Sequence, residues 1–189
     1  MEVALRGGAV ADEGEHGRIG PLAGGARAGA GGTGAAKCGG NYASSLLGKR
    51  EAAENGADEV LFLDSETHTS IDELSGMNVV AITKDGRLLT PSLTGSILEG
   101  VTRLSILRLA EDHGLEVHEQ KLVMSEVEQQ LESGEITEMF ACGTAAVVTP
   151  VGELRWQGGS APAPDWGLVA ALTAATALAS YAGARLARR

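Results

Sequence analysis

The sequence is poor in positive charge and in aromatic side chains. Lysine and arginine number 15 against 25 aspartate and glutamate residues, which gives a formal net charge of −10, and aromatic residues make up 3% of the chain. No basic stripe interleaved with aromatic residues appears. Because binding to nucleic acid needs clustered lysine and arginine to neutralise phosphates, the composition argues against a nucleic-acid partner.

Cysteine and metal-ligand patterns are scarce as well. The two cysteines, Cys38 and Cys142, form no C-x-x-C pair, and the four histidines are scattered among polar residues. Neither a disulfide scaffold nor a metal site is expected from this pattern. Residues 1–40 hold no apolar segment after a basic start, so no secretory signal is expected, and we assign the chain to the reducing cytoplasm.

The two ends of the chain differ in composition from its centre. Thirteen of the 27 glycines precede Asn41, so residues 1–30 are predicted to be irregular or disordered. Residues 160–189 are predicted to be a linker, which includes Ala161-Pro162-Ala163-Pro164, followed by an alanine-rich helix. Gly167 to Ala184 is uncharged but only weakly hydrophobic. A surface or docking helix is therefore favoured over a membrane anchor.

Between these ends, short apolar strands alternate with helices. The hydrophobic pattern predicts helices from Asn41 to Gly56, from Thr102 to Gly114 and from Ser125 to Leu131. Asn41 is expected to cap the first of them, and Ser125 with Glu128 to form a capping box on the last. Strands are predicted at 59–64, 78–83, 87–90, 115–122, 135–141 and 146–151, with a hairpin turn at Lys84-Asp85-Gly86. This mixture is typical of the α+β class.

Four motifs rich in glycine and polar residues follow one another along this region. They are Gly31-Gly32-Thr33-Gly34-Ala35-Ala36-Lys37-Cys38-Gly39-Gly40-Asn41-Tyr42, Asp72-Glu73-Leu74-Ser75-Gly76-Met77-Asn78, Leu98-Glu99-Gly100-Val101-Thr102-Arg103 and Phe140-Ala141-Cys142-Gly143-Thr144-Ala145-Ala146. In the first motif the glycines let a bulky planar partner approach the lysine amine. A lysine used as a nucleophile must also be partly desolvated.

Together these motifs closely resemble the branched-chain amino-acid aminotransferases, which are class IV aminotransferases and use pyridoxal 5′-phosphate (PLP). The resemblance implies the large PLP-binding domain of the family, of α+β class, over residues 31–159. It implies transamination of leucine, isoleucine or valine with 2-oxoglutarate by a homodimer. The small N-terminal domain of complete members is expected to be missing, because residues 1–29 are short and poor in apolar side chains.

The resemblance also assigns roles around the cofactor ring. It implies that Lys37 forms the Schiff base with PLP and moves the proton between the substrate Cα and the cofactor. Tyr42 matches the tyrosine that hydrogen-bonds the phenolic oxygen of PLP. Glu73 matches the carboxylate that keeps the ring nitrogen protonated, so that the ring acts as an electron sink. Asp72 is the neighbouring alternative, but the spacing to Gly76 favours Glu73.

The phosphate and the substrate carboxylate are assigned to two further places. A helix N-terminus presents free N–H groups to an anion, and the resemblance gives the Val101 and Thr102 amides and the Thr102 hydroxyl to the phosphate. Thr144 is expected to offer its hydroxyl to the phosphate. The neighbouring amides of Thr144 and Ala145 are expected to bind the substrate carboxylate.

Two other functions stay open at this point. Another class IV activity, such as D-amino-acid transamination or aminodeoxychorismate lysis, shares the lysine and the glutamate. A catalytically silent fragment, which folds but binds PLP weakly or not at all, is the second alternative.

Overall fold

A computed structural model of the chain describes residues 17–19, 26–145, 147–156 and 159–162. Within these ranges the chain forms nine strands and three helices. The strands are β1 (Gly17–Ile19), β2 (Leu61–Leu63), β3 (Ile71–Leu74), β4 (Asn78–Thr83), β5 (Arg87–Pro91), β6 (Glu116–Gln120), β7 (Ile136–Gly143), β8 (Val147–Trp156) and β9 (Gly159–Pro162). The helices are α1 (Gly39–Glu54), α2 (Val101–Asp112) and α3 (Met124–Glu132).

Seven of the strands form one mixed sheet. Its order is β1-β8-β7-β4-β5-β6, and β9 pairs with β8 as well. The β1–β8 and β5–β6 pairs are parallel, whereas the other pairs are antiparallel. Strands β2 and β3 form a separate antiparallel pair. Segregated hairpins with helices packed beside them confirm the predicted α+β class.

The sheet is buried on both faces. Val79 and Ala81 of β4 belong to the apolar cluster that contains the buried side chains of α3 and of the β2–β3 pair. Val80 and Ile82 of the same strand belong to a second cluster, with the buried side chains of α2. Because successive residues of a strand point to opposite faces, a strand packed on both sides shows a continuous apolar sequence rather than an alternating one.

Two helix starts differ from the predicted ones. Helix α1 begins at Gly39 with Cys38 as its N-cap, so Asn41 lies inside the first turn and does not cap it. Helix α3 begins at Met124, its N-cap Val123 makes no side-chain cap bond, and the predicted capping box of Ser125 and Glu128 is therefore wrong.

The helix ends agree better with the sequence. Gly56 and Gly114 follow α1 and α2 with φ of 69° and 83°. This left-handed conformation ends a helix and favours glycine. The Lys84-Asp85-Gly86 turn also joins two antiparallel strands, as predicted, with Gly86 at φ 86°.

Short strands at both ends of the described chain were not expected from the sequence. Strand β1 lies in the stretch predicted to be irregular, and Ala161 and Pro162 of the predicted linker belong to β9. The alanine-rich segment from Gly167 to Ala184 lies outside the described residues. Among the helices that are described, none has the length and apolarity needed to cross a membrane.

Candidate active site

The segment that joins β5 to α2, residues 92–100, is the centre of the site; we call it the connecting segment. The loop of residues 31–38, the lysine loop, packs directly on it. The Ala35 N–H donates to the Gly95 carbonyl at 3.0 Å. A Cβ on Gly34 would overlap the backbone of Ser96. The lysine loop is therefore held against the connecting segment at a distance that only glycine permits.

Asn41 fixes the other side of the lysine loop. Its buried side-chain amide donates to the carbonyls of Thr33 and Ala36, at 2.7 and 3.0 Å. Its Oδ1 accepts from the Thr33 hydroxyl at 2.8 Å. The backbone before Lys37 is thus tied to the first turn of α1, which explains why this asparagine is not free to cap the helix.

Lys37 itself is exposed. Within the described part of the chain its amine makes no ion pair and no hydrogen bond, so the described residues do not supply the desolvation expected for a nucleophilic lysine. Tyr42, in the first turn of α1, is 37% exposed. Its ring lies 3.9 Å from the position that a Cβ on Gly76 would take, which places it beside the turn between β3 and β4.

Glu73 on β3 is buried, with 2% of its surface exposed. Its Oε1 accepts from the Leu98 N–H at 2.9 Å and is in close contact with the Arg27 guanidinium. Burial raises the pKa of Glu73 to about 7, although the charge and the hydrogen bond of Arg27 act in the opposite direction. Both contacts are to Oε1, so within the described residues Oε2 is left to accept from another group.

Sequence reasoning missed Arg27. This arginine is 5% exposed, and besides Glu73 it donates to the Gly34 carbonyl of the lysine loop at 3.2 Å. It stands ten positions before Lys37 in a stretch of glycine and alanine predicted to be irregular. No periodicity or motif that we recognised marks it, since its partners come from distant parts of the chain.

Asp72, the alternative to Glu73, faces another part of the connecting segment. Its Oδ2 accepts from the Ser96 hydroxyl at 2.8 Å. Burial raises the pKa of Asp72 as well, against the lowering effects of Ser96 and Arg27. Two neighbouring buried acids therefore hold the middle of the segment that leads into α2, at Ser96 and Leu98.

The N-terminus of α2 is uncapped and open. Gly100 is its N-cap, with no side-chain cap bond, and Val101 is 71% exposed. A Cβ on Gly100 would overlap Oδ1 of Asn78, whose Nδ2 donates to the Leu98 carbonyl at 2.9 Å. The first N–H groups of α2 are thus available to an anion, and Thr102 is partly exposed beside them.

Thr144 and Ala145 lie in the exposed turn after β7. The preceding Gly143 lies against the β3–β4 turn, because a Cβ on it would come within 3.2 Å of Cγ of Met77. Asn78, next to Met77, pairs with Cys142 on β7 and touches the start of α2. A continuous series of contacts therefore joins the 143–145 turn, the α2 start, Glu73 and the lysine loop.

This arrangement offers an amine, a phenol, a buried carboxylate and an anion-binding helix end along one set of adjoining loops. Such a set suits a ligand with an anionic group at one end and a basic atom that can meet Glu73. These loops, or the helix or strand next to them, carry all of the predicted residues: Lys37, Tyr42, Glu73, Val101, Thr102, Thr144 and Ala145.

Comparison with known proteins gives a consistent result. The family model described as amino-transferase class IV matches residues 28–154. A branched-chain-amino-acid aminotransferase of Mycobacterium tuberculosis is 53% identical over 132 residues, which cover 68% of this chain and 36% of that protein. Its counterpart of Mycolicibacterium smegmatis is 50% identical over 136 residues, with 70% and 37% coverage. The chain thus matches little more than a third of the length of these relatives.

Solved structures resemble the fold over the same part of the chain. The branched-chain amino acid aminotransferase of Escherichia coli aligns with a TM-score of 0.58 and 39% identity, over 70% of this chain and 39% of that one. The branched-chain amino acid aminotransferase of Thermobaculum terrenum, in its PLP form, aligns with a TM-score of 0.56 and 38% identity, over 64% of this chain and 36% of that one.

Proposed function

The chain belongs to the class IV aminotransferase family, and from that premise we propose that it carries the PLP-binding part of a branched-chain amino-acid aminotransferase. Residues 31–159 form the PLP-binding domain in this proposal. The reaction moves the amino group of leucine, isoleucine or valine to 2-oxoglutarate. The relatives that are branched-chain aminotransferases support the substrate class.

The described residues fit PLP on chemical grounds. PLP, when bound, supplies an aldehyde that captures amines and a ring that withdraws electrons from the substrate Cα. The uncapped start of α2 suits its phosphate, and the lysine loop offers an amine. Asn78 packs against Gly100 and donates to the Leu98 carbonyl, so it fixes the backbone at this helix start.

The observation that carries the proposal is the environment of Glu73. A carboxylate that is 2% exposed is unfavourable unless it is paired, and here Arg27 pairs with its Oε1 atom alone. In this proposal Oε2 accepts from a proton-bearing nitrogen of the ligand, and the raised pKa of Glu73, near 7, marks this carboxyl as a candidate functional group. Glu73 thus holds the proton on the ring nitrogen of the ligand, which is the role the resemblance gives it.

Lys37 and Tyr42 act on the other edge of the ligand. The Lys37 amine would hold the cofactor through its aldehyde group, and would carry the proton to and from the substrate Cα. The Tyr42 hydroxyl donates to the phenolic oxygen and stabilises its negative charge. The ties of Asn41 to Thr33 and Ala36 support this proposal, because they fix the backbone from which Lys37 projects.

Two backbone turns bind the anionic groups. The Val101 and Thr102 amides, with the Thr102 hydroxyl, hold the phosphate at the positive end of the α2 dipole. Thr144 donates its hydroxyl to the phosphate, and the Thr144 and Ala145 amides bind the substrate carboxylate. We further propose that the protein works as a homodimer in the cytoplasm.

Absorption spectroscopy tests the proposal directly. The purified chain is mixed with PLP, and its visible spectrum is recorded before and after leucine is added. We expect a protein-specific band that shifts with leucine in the wild type and is absent in Lys37→Ala. Lys84→Ala, which removes an exposed amine in the turn between β4 and β5, is the control and should behave as the wild type.

Two results would contradict the proposal. A wild-type spectrum identical to that of free PLP would make the chain a silent fragment. A band that forms normally but shifts only with a D-amino acid would assign another class IV activity.

A further inference from the structure

Arg27 joins three parts of the site and has no role in the function proposed above. Its guanidinium is in close contact with Oε1 of Glu73 and donates to the Gly34 carbonyl at 3.2 Å. Its own backbone carbonyl accepts from the Ser44 hydroxyl on α1 at 2.6 Å. One buried residue thus connects β3, the lysine loop and the first helix.

We propose that Arg27 is a positioning residue, which pairs with the Glu73 carboxyl, favours its charged form and fixes the lysine loop relative to it. The inference rests on the proposed function, since Glu73 and Lys37 are the two groups expected to meet opposite edges of PLP. Arg27 acts through them and is not expected to touch the reacting atoms.

The first part of the argument is electrostatic. Asp72 and Glu73 are neighbouring carboxylates, both nearly fully buried, and each is disfavoured as an anion by burial. Their charges also oppose each other, and Asp64 adds to the repulsion on Asp72. Arg27 is the cation that lowers the pKa of both acids. Without it, Glu73 is expected to become a neutral acid at neutral pH, unable to stabilise a protonated ring nitrogen.

The second part is geometric. Arginine presents several donors in a rigid planar fork, so its contact with Glu73 limits where its other donors lie. Here the Nη2 atom serves both Glu73 and Gly34. The Gly34 carbonyl lies three residues before Lys37, on the part of the loop that packs against Ser96. A shift of Arg27 therefore moves the loop relative to the carboxylate.

The test compares three variants of the full chain. Arg27→Met removes both the charge and the donors. Arg27→Lys keeps a cation but loses the fork, and it is the second variant in case the first does not fold. Arg50→Met is the matched control, since Arg50 is exposed on α1 and pairs only with Glu54 among the described residues.

Two measurements need no cofactor. The pKa of Glu73 is followed by NMR on carboxyl-labelled protein, with the signal assigned through Glu73→Gln. We expect Arg27→Met to raise that pKa by about one unit or more. Amide hydrogen exchange of residues 33–38 is expected to speed up at least about tenfold in both Arg27 variants, because each loses the tie to Gly34. Arg50→Met should leave both unchanged.

A third measurement compares binding of PLP with binding of its 1-deaza analogue, which lacks the ring nitrogen. The wild type is expected to prefer PLP, and Arg27→Met to lose about tenfold or more of that preference. Arg27→Lys should keep most of it. A purely structural arginine would weaken both ligands equally and leave their ratio intact.

The outcomes separate this inference from the proposed function. If the wild type binds neither ligand, the proposed function fails, while the cofactor-free measurements still decide the role of Arg27. If Arg27→Met leaves both the pKa of Glu73 and the amide hydrogen exchange of residues 33–38 as in the wild type, the positioning role is overturned. It is also overturned if the wild type prefers PLP and Arg27→Met keeps the full preference.

Discussion

Glu73 shows how one buried side chain couples stability to pH. Its pKa is raised from 4.5 to about 7, with burial as the main cause and Arg27 acting against it. Between these values the folded chain keeps a proton that the unfolded chain has released. The free energy of unfolding therefore falls as the pH rises through this window. The loss of stability from ionising buried Glu73 is absent below the window and complete above it.

We predict that the ligand-free wild type loses stability relative to Glu73→Gln between pH 4.5 and pH 7. The free energy of unfolding of the wild type, minus that of Glu73→Gln, should fall by an amount on the order of 3 kcal/mol across this window. Each pKa unit corresponds to about 1.4 kcal/mol. Urea unfolding at several pH values measures it. Glu54→Gln, which changes an exposed acid on α1 and keeps Glu73, is the reference and should lose stability with rising pH as the wild type does. A pH-independent difference between the wild type and Glu73→Gln would contradict the prediction.

At the scale of elements, the lysine loop depends on a close backbone contact. Gly34 lies against the backbone of Ser96, and a Cβ there could be accommodated only if the loop moved. We predict that Gly34→Ala destabilises the fold by about 1–3 kcal/mol. It should also weaken PLP binding, since the displaced loop carries Lys37. Denaturant unfolding and a PLP titration measure the two effects.

Gly39→Ala is the control for this change. Gly39 begins α1, and a Cβ on it would meet nothing within 4 Å. Alanine is favoured over glycine in a helix by up to about 1 kcal/mol, so this variant should be as stable as the wild type or slightly more stable. If Gly34→Ala and Gly39→Ala had the same free energy of unfolding and the same affinity for PLP, the contact of Gly34 with Ser96 would have no structural consequence.

Elements with strong local signals were predictable, and those set by distant partners were not. Strand β4 begins and ends as predicted, because its apolar run and the Gly86 turn are local features. Strands β1 and β9 have three and four residues and are held by pairing with β8, which no local pattern reveals. The same reason hides Arg27, whose partners lie 7 and 46 positions away.

In the site, too, local features were predictable from the sequence and contacts between distant residues were not. The motifs pointed to Lys37, Glu73 and the start of α2, which the structure carries on the lysine loop, on β3 and after the connecting segment. The sequence could not show that Glu73 shares Oε1 with Arg27 and the Leu98 N–H, since that depends on how β3 meets the connecting segment. It also could not show that Asn41 is tied back to the lysine loop.

At the scale of the whole molecule, the central strands are enclosed from both sides. Phe140 and Cys142 on β7 are fully buried and belong to the cluster beneath α2. Neighbouring Met139 and Ala141 belong to the cluster on the other face. Since β7 lies between β4 and β8, these four buried side chains reach solvent only when the sheet separates from its helices. Cys142 is therefore a natural reporter of global opening.

The two thiols differ strongly in their expected reactivity. Burial raises the pKa of Cys142 to about 12. A hydrogen bond from the Gly40 N–H lowers the pKa of Cys38, which is partly exposed at the N-cap of α1, and the Thr33 side chain acts in the same direction. The thiolate is the reactive form, so we predict that an aromatic disulfide reagent modifies Cys38 quickly in the native protein. Cys142 should react only through unfolding.

The Cys38→Ser variant isolates the slow thiol, and its labelling rate can be compared with the free energy of unfolding. Phe140→Ala removes a buried ring beside Cys142 and should cost about 3–5 kcal/mol. If labelling follows global unfolding, that loss speeds modification of Cys142 by about a hundredfold or more. Leu46→Ala, at a side chain that is 65% exposed, should leave the rate unchanged. A Cys142 that reacts at the same rate in all three proteins would mean that β7 opens locally, without separation of the sheet from α2.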